Sequence, residues 1–233
     1  MRKRFCTNRD CRKMVDVRVD RGWVTGSCGH NIKVKRIPMK LAKQGLQACL
    51  DNAGRLVDAA RTLFKASRNE LAFFMVLTAY EEMAKCHCIL EETVRVYDLQ
   101  EDLLVDACVF EYHPAKYRMT MDYLDDWIAT WDSLATAFST ALGEIDTPEL
   151  SADRKVIHQN GFQIRNECLY VDYEDGWMVG PRIAISRERV EQHLKMIVSM
   201  MGGFHNTLRN WPLSVSKREF AAREGTAEFA PFK

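Results

Sequence analysis

Leu71-Ala-Phe-Phe-Met-Val-Leu-Thr-Ala-Tyr80, followed at once by Glu81-Glu-Met-Ala-Lys85, contains the longest nearly unbroken apolar run of the chain. From about Asn69 to Tyr97 there is no Gly or Pro, and between Ala72 and Ala79 apolar residues fall on nearly every side of a helix. A helix that is apolar all round has to be surrounded, so this one is predicted to be the central helix of a bundle. Upstream, Leu46, Cys49, Leu50, Ala53, Leu56, Val57, Ala60, Leu63 and Phe64 recur at three- and four-residue intervals. They mark an amphipathic helix from about Met39 to Ala66, antiparallel to the central one across a short turn. Downstream, a third helix is expected from about Leu99 to Leu142, interrupted near His113-Pro114, because proline disfavours helix through the preceding residue. Gly143 to Ser151 reads as a linker broken at Thr147-Pro148, and a fourth helix as about Ala152 to Cys168. Leu169-Tyr-Val-Asp-Tyr173 is strand-like and runs into a turn at Glu174-Asp-Gly176. Ser186 is placed to cap a last helix from Arg187 to about Arg209, which Trp211-Pro212 ends.

The chain has 233 residues, 47% hydrophobic and 28% charged, enough apolar material for a sizeable core and too much for a disordered chain. Leu71 to Tyr80 is about half the length of a membrane span of about twenty residues, and Met1-Arg-Lys-Arg-Phe-Cys6 is unlike the start of a secretory signal. No membrane association and a cytoplasmic location are expected. The fold class is mainly α: a helical bundle over 38–213, a small N-terminal β ribbon over 1–37, and a loosely attached tail over 214–233.

The net charge of +1 hides an asymmetry. Residues 1–40 carry twelve Lys/Arg against three Asp/Glu, a net of +9, and the remainder 21 against 29, a net of −8. A basic lobe on an acidic body can reach for nucleic acid, lie against the body's own acidic face, or be solvated. The same lobe holds Cys6 and Cys11 around Thr7-Asn-Arg-Asp10, and later Cys28-Gly-His30, separated by alternating Val15, Val17 and Val19 and then Trp23-Val24. Four N/S ligands in two close pairs suit tetrahedral Zn²⁺, and a piece this small has little core of its own, so a structural zinc bound by Cys6, Cys11, Cys28 and His30 is expected. The alternative is a zinc-free hairpin. Cys49, Cys86, Cys88, Cys108 and Cys168 lie in helical patterns and read as small core residues.

The chemistry-bearing residues follow the apolar run. Glu81 and Lys85 share one helix face at i,i+4, and a buried charge there needs a partner because an isolated buried ion is costly. The bland reading is a solvated pair. His113 and Lys116 at a helix break, and Arg165, Asn166, Tyr170 and Asp172 at a helix-to-strand junction, stand at element ends from which they can converge on the second helix.

Ala79-Tyr-Glu-Glu-Met-Ala-Lys85, His113-Pro-Ala-Lys116 and Arg165-Asn-Glu-Cys-Leu-Tyr-Val-Asp-Tyr173 followed by Gly176 resemble, in order and separation, the AbiV-type abortive infection proteins of bacteria. That family is similar to the HEPN superfamily of helical bundles, which includes RNases and dimeric nucleotide- and RNA-binding modules. The resemblance covers roughly Leu46 to Arg209 and leaves the ribbon outside. It implies phage defence, a HEPN-like bundle and a homodimer. Nuclease-type HEPN proteins carry an Arg followed after four to six residues by His. Arg165-Asn166 looks like the start of that motif, but five residues on stands Tyr170 and no His follows; the literal match is Arg187-x5-His193 in the last helix.

Three functions are compatible with these residues. A metal-independent ribonuclease needs a base for the 2′-OH, cations for the phosphorane charge and an acid for the leaving oxygen. Arg165 would take the scissile phosphate, His113 or Tyr170 the proton, and Lys116 further phosphate charge, with Glu81, Glu82, Lys85, Asn166 and Asp172 supporting them. An interaction protein would use the same polar network structurally and defend by binding a phage or host protein. A nucleic-acid-binding regulator would be led by the basic ribbon.

Overall fold

The computed structural model describes residues 2–5, 14–20, 23–26, 31–97, 101–134, 147–169, 172–174, 177–179 and 184–211. Strands β1 (Arg2–Phe5), β2 (Met14–Asp20), β3 (Trp23–Gly26) and β4 (Asn31–Ile37) form an antiparallel meander, with Arg2 opposite Val17, Val19 opposite Val24 and Val24 opposite Ile32. A 3₁₀ turn at Met39–Leu41, begun by Pro38, leads into α1 (Ala42–Lys65). The period-3.6 stripe is the buried one: Ala42, Leu46, Leu50, Ala53, Val57 and Ala60. α1 ends where Ser67 takes a left-handed φ of 58° and the Arg68 N–H returns to the Leu63 carbonyl at 2.9 Å, a tight reversal that launches α2 (Asn69–Val96). α2 packs against α1 and against four later helices, and Ala72, Phe73, Val76, Leu77, Ala79, Tyr80 and Met83 are fully buried, as expected of a central helix.

The third helix departs from the sequence reading. Residues Leu103–Asp106 form β5, antiparallel to β4 with Ile37 opposite Leu103 and Lys35 opposite Val105, and so extend the sheet to five strands in the order β1-β2-β3-β4-β5. A short apolar run buried on both faces carries no period that separates strand from helix, and the open edge of β4 decided it. One turn, α3 (Cys108–Glu111), precedes α4 (His113–Leu134), so His113-Pro114 is a helix start rather than an interruption. The expected extension to Leu142 lies outside the described residues.

Thr147-Pro148 is likewise a start. The Thr147 hydroxyl accepts from the Leu150 N–H at 3.2 Å, and Pro148, needing no N–H partner, is the first residue of α5 (Pro148–Leu169), which claims four residues read as linker. β6 (Asp172–Glu174) pairs with β7 (Trp177–Val179). α6 (Arg187–Arg209) has the expected cap: the Ser186 hydroxyl accepts from the Arg189 N–H at 3.1 Å. The tail over 214–233 lies outside the described residues. Among those described, no helix is long and apolar enough to cross a membrane.

The basic strand β4 faces acidic residues of the body. Lys33 and Lys35 pair with Glu111 at 3.0 and 3.3 Å, and Arg36 with Asp102 at 3.9 Å, all exposed. Each such pair contributes about 0–1 kcal/mol, but together they occupy three of the cations that could have met a nucleic acid.

Candidate functional site

Glu81 is the centre of the polar cluster. Its helix position, one residue past the apolar run, aims it at the seam between α4 and α5, and its side chain is only 5% exposed. Four donors converge on the carboxylate. Tyr117 Oη–H donates to Oε1 at 2.7 Å and Arg165 Nη1 to the same oxygen at 2.9 Å; His113 Nδ1 lies 2.6 Å and Lys116 Nζ 3.3 Å from Oε2. Burial alone pushes the Glu81 carboxyl up, yet the hydrogen bonds from Tyr117 and His113 and the charges of Lys116 and Arg165 outweigh it and hold it below the ordinary glutamate value. Tyr117 is driven far above its usual range, by burial first and by the Glu81 charge second. An ionised carboxylate only accepts, so His113 donates from Nδ1 and its Nε2 is the nitrogen left to act.

The four donors differ in access. Lys116 and Arg165 have side chains 6% and 14% exposed, whereas His113 is 41% exposed. The His113 ring stacks on Phe162 with centroids 5.4 Å apart, and the Arg165 guanidinium lies between Phe162 and Phe74, 5.4 and 5.5 Å from their centroids. Gly161 makes room for this arrangement: a Cβ there would fall 2.7 Å from Tyr117 Cγ. One carboxylate against two fixed cations leaves the cluster net positive before His113 is protonated.

Of the residues expected to converge, Glu81, His113, Lys116 and Arg165 do. Lys85 does not join them; it pairs with Glu82 at 2.7 Å, at i,i+3 rather than with Glu81 at i,i+4. Asn166 is half-buried beside Arg165, and among the described residues it gives no hydrogen bond to Glu81. Asp172 opens β6 opposite Val179, and Tyr170, Cys6, Cys11, Cys28 and His30 lie outside the described residues. Tyr117 was missed, although it stands at i+4 from His113 on the same helix face.

A second cluster was also missed. Asp153 on α5 accepts from Arg189 through Nε at 2.6 Å and Nη2 at 2.5 Å, and from His193 Nε2 at 2.9 Å. His193 Nδ1 then accepts from the Tyr80 hydroxyl at 3.0 Å. Burial raises the Asp153 carboxyl less than His193 and Arg189 lower it, bringing it down to about 2, while burial keeps the His193 imidazole below its ordinary value. His193 is fully buried, so the Arg187-x5-His193 match does not present a pair to solvent: Arg187 lies over Phe64 at 4.0 Å and His193 belongs to Arg189 and Asp153. Among the described residues no group of three or more His, Cys, Asp or Glu could hold a metal ion.

A mainly α bundle whose central helix meets charged residues from two later helices is consistent with a HEPN-like fold. The family model described as AbiV, HEPN_AbiV, matches residues 41–200, more than half of the chain, and the chain belongs to that family. Membership supports an abortive-infection, anti-phage function. No curated protein matches the chain, and no solved structure does.

Proposed function

We propose that this AbiV-family protein halts infected cells as a metal-independent endoribonuclease in which His113 transfers the proton. The observation that supports it is a half-exposed imidazole whose Nδ1 is held 2.6 Å from a buried, ionised Glu81. A carboxylate behind an imidazole fixes its tautomer and stabilises the imidazolium that forms when Nε2 takes a proton. Nε2 accepts the 2′-OH proton, the 2′-oxygen bonds to phosphorus, and the 5′-oxygen leaves with a proton from a second donor. Lys116 and Arg165 supply positive potential from behind. One His113 cannot be base and acid in the same step, so a homodimer with two facing sites completes the chemistry; sedimentation should give about twice the chain mass of 26.9 kDa. Tyr170 is a candidate for that second donor, with Asn166 and Asp172 in supporting roles.

His113→Gln tests the reading. It should stay folded, with cleavage of total cellular RNA falling by about 10²–10⁴-fold and protection against phage lost. A stable variant that still protects overturns the assignment.

The burial of Lys116, Tyr117 and Arg165 against Glu81 favours a second reading, an interaction protein whose network is structural and which binds a phage or host protein. A wild type that protects without ever cutting RNA, even in infected-cell extract, selects it.

The ribbon is proposed to bind one structural zinc through Cys6, Cys11, Cys28 and His30. The antiparallel order supports this, since the end of β1, the start of β2, the end of β3 and the start of β4, between which these residues fall in sequence, are at the same end of the sheet. Elemental analysis should find about one zinc per chain, and Cys11→Ser should remove it while leaving the helical signal.

A further inference from the structure

The α1–α2 seam brings two thiols together. Cys49 sits beside the buried stripe of α1, between Leu46 and Leu50, and Cys86 continues the inward face of α2 one turn beyond Met83. The helices run antiparallel, and the Cys86 thiol lies 3.9 Å from the carbonyl of Leu46, one turn before Cys49. That contact sets the Cys86 sulfur on the seam within a turn of Cys49, and neither cysteine is in a disulfide. Their surroundings differ. Cys49 is half-buried and reachable, whereas Cys86 is fully buried.

We propose that Cys49 and Cys86 form a modification site: a dithiol that hydrogen peroxide oxidises to a disulfide, stapling α1 to α2. The neighbouring Cys86 thiol, helped by the charge of Lys85, holds the Cys49 thiol below its ordinary value against burial and Glu82, while burial pushes Cys86 up. Cys49 is therefore the attacking sulfur. Its thiolate takes one peroxide oxygen, forming a sulfenic acid and releasing the other oxygen as water; the Cys86 sulfur then displaces the second water as the S–S bond closes. Two thiols lose two electrons and two protons, and one peroxide becomes two waters. Cys88, two residues on, packs instead with Ala84, Val105 and Val109 under the sheet, and burial pushes Cys168 up to about 12, so neither competes.

The test uses the full-length reduced protein titrated with hydrogen peroxide. Peptide mapping should link Cys49 to Cys86, the intact mass should fall by two hydrogens, and the melting midpoint should rise by several degrees and return with dithiothreitol. Cys49→Ser and Cys86→Ser should each abolish the link, and Cys88→Ser should leave it. An unchanged mass in excess peroxide, a trapped Cys49 sulfenic acid that never closes, or a link to another cysteine overturns the proposal. If Cys49→Ser fails to fold, the wild-type peptide map decides. None of these readouts depends on RNA cleavage.

Discussion

Glu81→Gln removes the one anion that Lys116 and Arg165 share while keeping the shape of the side chain. The amide oxygen can still accept from Tyr117 and Arg165, but an NH₂ then faces the Lys116 ammonium and His113 Nδ1, which both donated to Oε2. His113 can switch tautomer; Lys116, 6% exposed, cannot stop donating. Stripping one partner from a buried ion pair costs about 3–5 kcal/mol, and the retained hydrogen bonds place this change near the lower end, about 3 kcal/mol. For a chain of this size each kcal/mol moves the midpoint by about 2–4 °C, so melting near pH 7 should fall by about 6–12 °C. The pH dependence gives the sign. The folded Glu81 carboxyl lies below its ordinary value of 4.5, so its contribution is fully present above that pH and is lost as pH falls through the folded value. The gap between wild type and variant, followed by circular dichroism, should therefore be constant at neutral pH and close in acid. A gap under about 2 °C at neutral pH, or one that widens in acid, refutes the cluster as a buried network centred on an ionised Glu81.

Gly161→Ala should displace the Tyr117 ring, because the new Cβ would meet Cγ at 2.7 Å and Cδ1 at 2.9 Å. The cost is about 1–3 kcal/mol, read as an earlier thermal transition, and an unchanged midpoint refutes the packing. Asp153→Asn leaves Arg189 and the neutral His193 without their carboxylate and should cost about 3–5 kcal/mol. The folded Asp153 carboxyl is near about 2 against an ordinary 3.8, so this contribution persists above pH 3.8 and disappears towards 2, which acid titration of wild type against variant will show. Ser186→Ala should cost about 1 kcal/mol by removing the cap of α6, with sedimentation unchanged.

The helices were legible where periodicity and end signals agreed. The stripe from Leu46 to Phe64, the Gly- and Pro-free run from Asn69, and Ser186 before Arg187 each predicted an element within a few residues. Leu103–Asp106 was not legible, because its pairing with β4 joins residues some seventy positions apart and no local signal encodes that. Thr147-Pro148 was read as a break because proline both ends and begins helices; the cap hydroxyl on Thr147 was the distinguishing sign. At the site, Glu81 was found from its charge directly after the apolar run, and His113, Lys116 and Arg165 from theirs at element ends, whereas Tyr80 was counted in the apolar run and Tyr117, a mostly apolar side chain, was not singled out. His193 was seen only as part of a linear motif, and its true partner, Asp153, comes from another helix.

Tyr80 and Glu81 are neighbours on α2, about 100° apart around its axis, so they address different helices. Tyr80 reaches α6 through His193, and its carbonyl accepts from Thr120 of α4 at 2.7 Å; Glu81 reaches α4 and α5. The apolar helix at the centre of the bundle is thus fixed in rotation and register by two polar anchors at one level, which apolar packing alone specifies less sharply. His113 rests on that level, its ring held by Glu81 on one edge and by Phe162 on one face, while most donors around it are buried. A proton-transfer group needs this kind of fixed orientation. Substituting Glu81, Lys116 or Arg165 disturbs the anchors and any chemistry together. His113, the most exposed of the four donors, can be changed while the anchors stand, so its variant separates catalysis from architecture.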